Sequence, residues 1–417
     1  MNAAQPVPAV VDAATRFRRV RGHTLALCAG LGAEDMQVQS MPDASPGKWH
    51  LAHTTWFFEQ FVLGLDPAWR PRHPEWHYLF NSYYQTVGPM HERPRRGLLT
   101  RPTLDEVLDY RRRVDAAVED RLSRDHAPEL ARRVALGLQH EQQHQELLLT
   151  DIKHAFWCNP LRPALLDAPP APSSAGAAPL HFLPGREGIV EIGHAGDGFA
   201  FDNETPRHRT LLQAHALADR LATNAEYLEF VRDGGYREPS LWLSDGWALV
   251  QRESWRHPLY WQDGLDSEFT LAGMQALDPA APVCHLSFFE ADAFARWAGA
   301  RLPTEAEWED AAAGVSVHGN LQYAGRLHPR PAEPGESLRQ LYGDVWEWTA
   351  SPYVGYPRFK PLPGALGEYN GKFMNGQWVL RGGSCATPDD HVRASYRNFF
   401  PPHARWQFAG VRLARDR

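Results

Sequence analysis

The sequence has few cysteines, no long apolar run and no block of like charge, and each shortage excludes a class of protein. Its four cysteines, Cys28, Cys158, Cys284 and Cys385, are scattered over 417 residues without CxxC spacing. They read as reduced thiols of a cytoplasmic chain rather than as a disulfide framework. No stretch reaches the roughly eighteen apolar residues of a membrane span. The first thirty residues lack a basic start, a continuous apolar core and a cleavage site, so no secretory leader is expected. A formal charge of −7 leaves no electrostatic footprint for nucleic acid. No internal repeat is visible, and oligomeric state is not legible.

The hydrophobic share of 43% and charged share of 22% are those of a globular protein. The length exceeds one ordinary core, so two domains are expected. Twenty His and fifteen Trp are high for this length, although a count alone locates no site.

The first 160 residues read as helices. Apolar positions recur at helical spacing from about Val11 to Leu31. A second helix is expected from Asp43-Ala-Ser-Pro46, with Asp43 or Ser45 as cap and Pro46 in the first turn, to near Gly64. A third opens at Thr103-Leu-Asp-Glu106, the spacing of a capping box, and a fourth spans about Glu129 to Phe156. Four such helices suggest a bundle. The connection from 65 to 102 is long and rich in Pro, Arg, His and Tyr, as functional loops often are. The Pro/Ala/Ser stretch of residues 161–180 reads as a linker between a domain of residues 1–160 and one of 181–417. The second half has short apolar runs, many Gly and Pro, and two evident helices, after Thr223 and after Ser287. That is the pattern of an irregular α+β domain.

His140-Glu-Gln-Gln-His144 lies inside the fourth helix. Residues four apart share a helix face, so both imidazoles can meet one ion. Imidazole suits Fe, Zn, Cu and Ni. A third ligand has to come from elsewhere, and WHLAH on the second helix offers His50 and His53. The same segment satisfies the HExxH pattern of zinc proteases, with Glu141 as the base, but no convincing third ligand occurs downstream.

The wider pattern is more specific. SPGKWHLAHTTWFFE, YLFNSYYQTVG and HEQQHQELLLTDIKH resemble the DinB-like bundle of the EgtB-type sulfoxide synthases of ergothioneine biosynthesis. RLPTEAEWEDAA, GDVWEWTASPY, VLRGGSCATP and SYRNFFPPHARWQFAGVRLA resemble the formylglycine-generating-enzyme-like, C-type-lectin-related domain fused to it. The match spans nearly the whole chain in the right order.

The resemblance implies iron(II) held by His53, His140 and His144, with His50 structural and oxygen as co-substrate. It implies hercynine, a trimethylated histidine betaine, as one substrate. Gln143 would contact it, and Asn398, Phe399 and Phe400 would hold its quaternary ammonium against aromatic faces. Tyr83 and Tyr84 would supply a proton or hydrogen atom that steers the reaction to C–S bond formation. The second substrate would be cysteine rather than γ-glutamylcysteine, its carboxylate met by Arg93, Arg95, Arg96 or Arg397. Asp344 of GDVWEW stands where many relatives carry Asn, in a loop type that can hold a structural calcium. Alternatives of other kinds are a selenoneine synthase taking a selenosugar, a zinc-type DinB hydrolase or thiol transferase, and a non-enzymatic betaine-binding module.

Overall fold

The computed structural model describes residues 12–167 and 178–417. Half of the expected linker, residues 168–177, lies outside the described residues. Two compact units are present. Unit 1 holds the chain to Ser82 and Gly88–Leu148, and unit 2 holds Tyr83–Val87 and Leu149–Arg417. The division thus falls within the fourth long helix rather than in the Pro/Ala-rich stretch, and a five-residue piece of the long connection groups with the second unit.

In unit 1, α1 (Ala13–Leu27), α2 (Gly47–Phe61), the short α3 (Trp76–Phe80), α4 (Leu104–Arg124) and α5 (Pro128–Cys158) form the bundle, α5 running on into unit 2. Asp12 caps α1, accepting from the Ala14 and Thr15 amides. Thr103 and Glu106 close the expected capping box of α4. The start of α2 differs from expectation. Pro46, with extended ψ, is the cap residue, so neither Asp43 nor Ser45 occupies that position. The Ser45 hydroxyl accepts from the Arg96 guanidinium.

Helix α2 is buried on nearly every side, so each of its polar groups needs an internal partner. Thr54 and Thr55 bond back to the carbonyls of His50 and Leu51, and Glu59 accepts from the Tyr110 hydroxyl at 2.7 Å. Phe17 and Val20 of α1, Leu51 and Phe58 of α2, Val107, Val114 and Val118 of α4, and Leu130 and Val134 of α5 are all buried.

Unit 2 is α+β. Strands β1 (Phe182–Pro184), β2 (Gly188–Ile192), β3 (His208–Leu212) and β4 (His215–Ala218) precede α6 (Asn224–Arg232) and α7 (Ser244–Glu253). Then come β5 (Ser267–Thr270), β6 (Gly273–Ala276), α8 (Phe288–Trp297) and α9 (Glu305–Ala312). The last strands are β7 (Trp346–Pro352), β8 (Trp378–Arg381), β9 (Asn398–Phe400), β10 (Ala409–Gly410) and β11 (Ala414–Asp416). Among the described residues they make a three-stranded sheet β1-β4-β11, a four-stranded sheet β10-β7-β8-β9 and two hairpins. Helices α7 and α9 go beyond the two expected from sequence. A capping box at Thr304–Glu307 announces α9, whereas α7 has no side-chain cap to mark it.

The interior of unit 2 is rich in buried ion pairs. Arg412 meets Glu347 at 2.8 Å with both fully buried, and Arg381 and Arg397 converge on Glu305. No helix among the described residues is long and apolar enough to cross a membrane.

Candidate metal centre

Helix α2 supplies His53, and one face of α5 supplies His140 and His144. One ring nitrogen from each lies within 4.8 Å of the other two, the one such cluster of metal-ligating side chains among the described residues. The Nε2 atoms of His53 and His140 are 3.1 Å apart. Two nitrogens bound to one ion at about 2.0–2.1 Å and roughly at right angles stand about 3 Å apart, so this spacing suits a shared cation.

Neighbouring groups fix the rings. His53 Nδ1 lies 2.6 Å from the Phe80 carbonyl; a proton there leaves the Nε2 lone pair directed at His140. His144 Nδ1 is 2.8 Å from His50 Nδ1, so His50 orients a member of the trio, the kind of support metal-bound imidazoles commonly have. Trp49 stacks on His53 with ring centroids 4.5 Å apart, and Phe57 stacks on His140 at 4.4 Å. Burial holds His53 and His144 well below the ordinary imidazole range and pulls His140 down to about 3. The rings are therefore neutral, the form that donates to a metal. Three neutral nitrogens flanked by the Trp49 and Phe57 rings fit a divalent transition ion and leave further coordination positions for substrates.

Glu141 does not serve the pocket as a base. It is fully buried, 2.7 Å from Arg21, paired as well with Arg111, and accepts from Thr24 at 2.6 Å. Burial opposes its ionisation, but the two guanidiniums overcome this and hold it down to about 2. The HExxH pattern here is one His pair that converges with His53 and one structural carboxylate.

The other predicted residues fall in different places. Gln143 is half-buried beside His144 on α5. Among the candidate arginines, Arg93 and Arg95 are exposed, and Arg93 bonds the Asp43 carbonyl. Arg96 is buried, lies 3.4 Å over the Trp49 ring, and donates to Ser45 and Ser82. Its charge also contributes to lowering His53 and His144, after burial and the neighbouring histidines.

Tyr83, Tyr84, Arg397, Asn398, Phe399 and Phe400 all group with unit 2. Tyr84 is fully buried with its ring 4.6 Å from that of Tyr83. Asn398, Phe399 and Phe400 form edge strand β9 and are half-buried. Phe399 stacks on Tyr353 at 4.0 Å, and Phe400 meets Trp406 edge-on at 6.1 Å.

Arg397 corrects the sequence reading. It grips Glu305 through Nε and Nη2 at 2.9 and 3.0 Å and donates to the carbonyls of Asn203 and Val354. It is a core ion-pair residue, not an anchor for a substrate carboxylate. Asp344 likewise serves amides. Its Oδ1 accepts from Asn320 Nδ2 and the Arg330 N–H, and its Oδ2 from Gln340 Nε2, a donor-rich setting opposite to what calcium requires.

Comparison with known proteins agrees with this layout. Residues 16–148 match the DinB superfamily, and residues 182–337 and 330–417 match the sulfatase-modifying factor enzyme 1-like domain. The chain is 34% identical to a hercynine oxygenase of Mycolicibacterium thermoresistibile, the match covering 98% of this chain and 96% of that protein. It is 33% identical to one of Mycobacterium tuberculosis, covering 97% and 98% respectively. A formylglycine-generating enzyme of Streptomyces coelicolor is 29% identical over 56% of this chain and 88% of its own length. With relatives aligned end to end across both domains, the chain belongs to the hercynine oxygenase (EgtB-type) family and is an enzyme of the oxygenase/oxidoreductase class.

Proposed function

We propose that this enzyme uses iron(II) and oxygen to join the sulfur of cysteine to the imidazole ring of hercynine, giving a sulfoxide intermediate of ergothioneine biosynthesis. The observation that carries the reading is the convergence of three neutral imidazoles from α2 and α5 within 4.8 Å, in a chain of this family. His53, His140 and His144 would hold the iron. When bound, that ion supplies oxygen activation and a coordination site that favours the thiolate form of cysteine.

The protein's own side chains then divide the remaining work. Gln143, next to His144 on α5, contacts hercynine. Asn398 and the aromatic faces of Phe399 and Phe400 suit its quaternary ammonium. Arg96, a buried cation stacked on the ring that itself stacks on His53, meets the cysteine carboxylate. Tyr83 and Tyr84 supply the proton or hydrogen atom that favours coupling over simple thiol oxidation. Burial, followed by the charge of Tyr369, raises the Tyr84 phenol well above its ordinary range, so it stays protonated at neutral pH.

Anaerobic loading with iron(II), followed by oxygen, hercynine and cysteine, tests the reading. Oxygen uptake with hercynylcysteine sulfoxide in the mass spectrum is expected. Absence of any coupled product with cysteine, γ-glutamylcysteine or a selenosugar defeats it.

A further inference from the structure

Residues 83–87 group with unit 2, although the chain on either side groups with unit 1. What holds them there is specific. The Glu368 carboxylate accepts from two consecutive backbone amides, Gln85 N–H on Oε2 and Thr86 N–H on Oε1, each at 3.0 Å. Its Oε1 also accepts the Thr86 hydroxyl at 2.5 Å. Lys372, four residues further on, lies 2.9 Å from Glu368 Oε2 and donates to the Tyr83 carbonyl. Its ammonium stands 5.7 Å over the Tyr83 ring. Tyr369 and Phe373, on the same short stretch, pack against that ring with centroids 6.1 and 5.2 Å away.

An exposed Glu–Lys pair four residues apart is ordinarily worth little. This one differs because both oxygens of the carboxylate are spent on a single short segment through charge-assisted bonds to its backbone. Tyr83, Gln85 and Thr86 thereby have their backbone or ring tied to residues 368–373, and Tyr84 stands between them with its ring against that of Tyr83. Burial works to raise Glu368, yet the bonds from Thr86, Lys372 and the two amides hold it down to about 2. The carboxylate is therefore charged across the whole neutral range.

We propose that Glu368 and Lys372 are positioning residues that clamp residues 83–87 and so set where the phenols of Tyr83 and Tyr84 stand. The proposal rests on the proton- or hydrogen-donating role of those tyrosines in the coupling reaction. A misplacement of about 1 Å in a positioned group can cost on the order of a hundredfold, so a loosened clamp should change what the enzyme makes more than whether it binds.

The test uses the iron-loaded full chain and the variants Glu368→Ala, Glu368→Asp and Lys372→Met, alongside Tyr83→Phe and Tyr84→Phe. Hydrogen exchange of the peptide spanning residues 81–88 should speed up in Glu368→Ala and Lys372→Met. Iron stoichiometry and the KM for hercynine should stay at wild-type values. The ratio of coupled product to oxidised cysteine should fall at least about tenfold, and Glu368→Asp, which keeps the carboxylate, should recover part of it. If Glu368→Ala fails to fold, the exposed Lys372 variant carries the same readouts. Unchanged exchange in both clamp variants overturns the proposal. Faster exchange with a wild-type product ratio, while a Tyr→Phe variant shifts that ratio, overturns the clamp and leaves the tyrosine reading standing. Wild-type ratios in both Tyr→Phe variants overturn the two together.

Discussion

His53 Nε2 faces His140 Nε2 at 3.1 Å, and the Phe80 carbonyl lies on the opposite side of the His53 ring, 2.6 Å from Nδ1. The carbonyl fixes which nitrogen of His53 carries the proton. His140 Nε2 can face the His53 Nε2 lone pair either as an N–H donor or, with a cation between the two rings, as a second lone pair on the same ion. That relationship suits the site to a shared metal ion.

Glu141→Gln should be a stability variant and not a catalytic one. Breaking a buried ion pair from one side costs about 3–5 kcal/mol, and here the two guanidiniums of Arg21 and Arg111 lose their partner. Chemical denaturation should show a loss of that size, while the folded fraction keeps its iron. The pH dependence comes from the depressed carboxylate, about 2 when folded against an ordinary 4.5. Its contribution is complete above pH 4.5 and disappears as pH falls toward 2. A variant that keeps full stability but loses turnover would point back to a zinc-protease-like base.

Arg96 and Arg397 should separate cleanly. Arg96→Met is expected to raise the KM for cysteine about tenfold or more, the worth of one or two bonds to a charged group, with hercynine affinity unchanged. Arg397→Met should instead lower the denaturation midpoint, because Glu305 loses a bidentate partner, and should leave the KM for cysteine at its wild-type value. The reverse pattern would reinstate Arg397 as the carboxylate anchor.

Asp344→Asn should remove a pH dependence from the protein's stability. Burial, only partly offset by the Arg330 amide and Asn320, pushes this carboxyl up to about 6. An acid raised on folding favours the folded state at low pH and loses that contribution as pH climbs from about 4 to 6. The neutral amide escapes the loss, and Asn tolerates the positive φ of 58° at this position. The stability difference should shift in the variant's favour over that window by an order of 1–3 kcal/mol and level off above it, on top of a constant cost for the acceptor that Asn withholds from the surrounding N–H donors. Thermal melts at pH 4.5 and 7.5 with equal differences between the two proteins would refute the assignment.

Phe400→Ala should weaken hercynine binding by about 0.5–2 kcal/mol, the range of a cation–π contact. Calorimetry should show the same variant binding unmethylated histidine no worse than wild type does. Unchanged hercynine affinity would remove Phe400 from the betaine site.

Much of the molecule was legible in its sequence, and the reasons differ by element. The capping boxes at Thr103, Thr223 and Ser287 are local signals, and the helices they start are present. His140 and His144 could be placed on one face from helical periodicity alone. The choice of His53 over His50 could not, because it depends on ring direction within a helix buried on nearly all sides; there the family resemblance supplied what spacing lacked. Arg397 misled because nothing in its neighbourhood announces Glu305, 92 residues earlier. The clamp on residues 83–87 was invisible for the same reason, since Glu368 reaches Thr86 across 282 residues.

The most direct test of the three-histidine centre is iron content. Wild-type protein loaded anaerobically with iron(II) and desalted should retain one equivalent per chain, whereas His53→Ala and His140→Ala, still helical by circular dichroism, should retain essentially none. Stoichiometric iron in either folded variant would contradict the centre and the mechanism built on it.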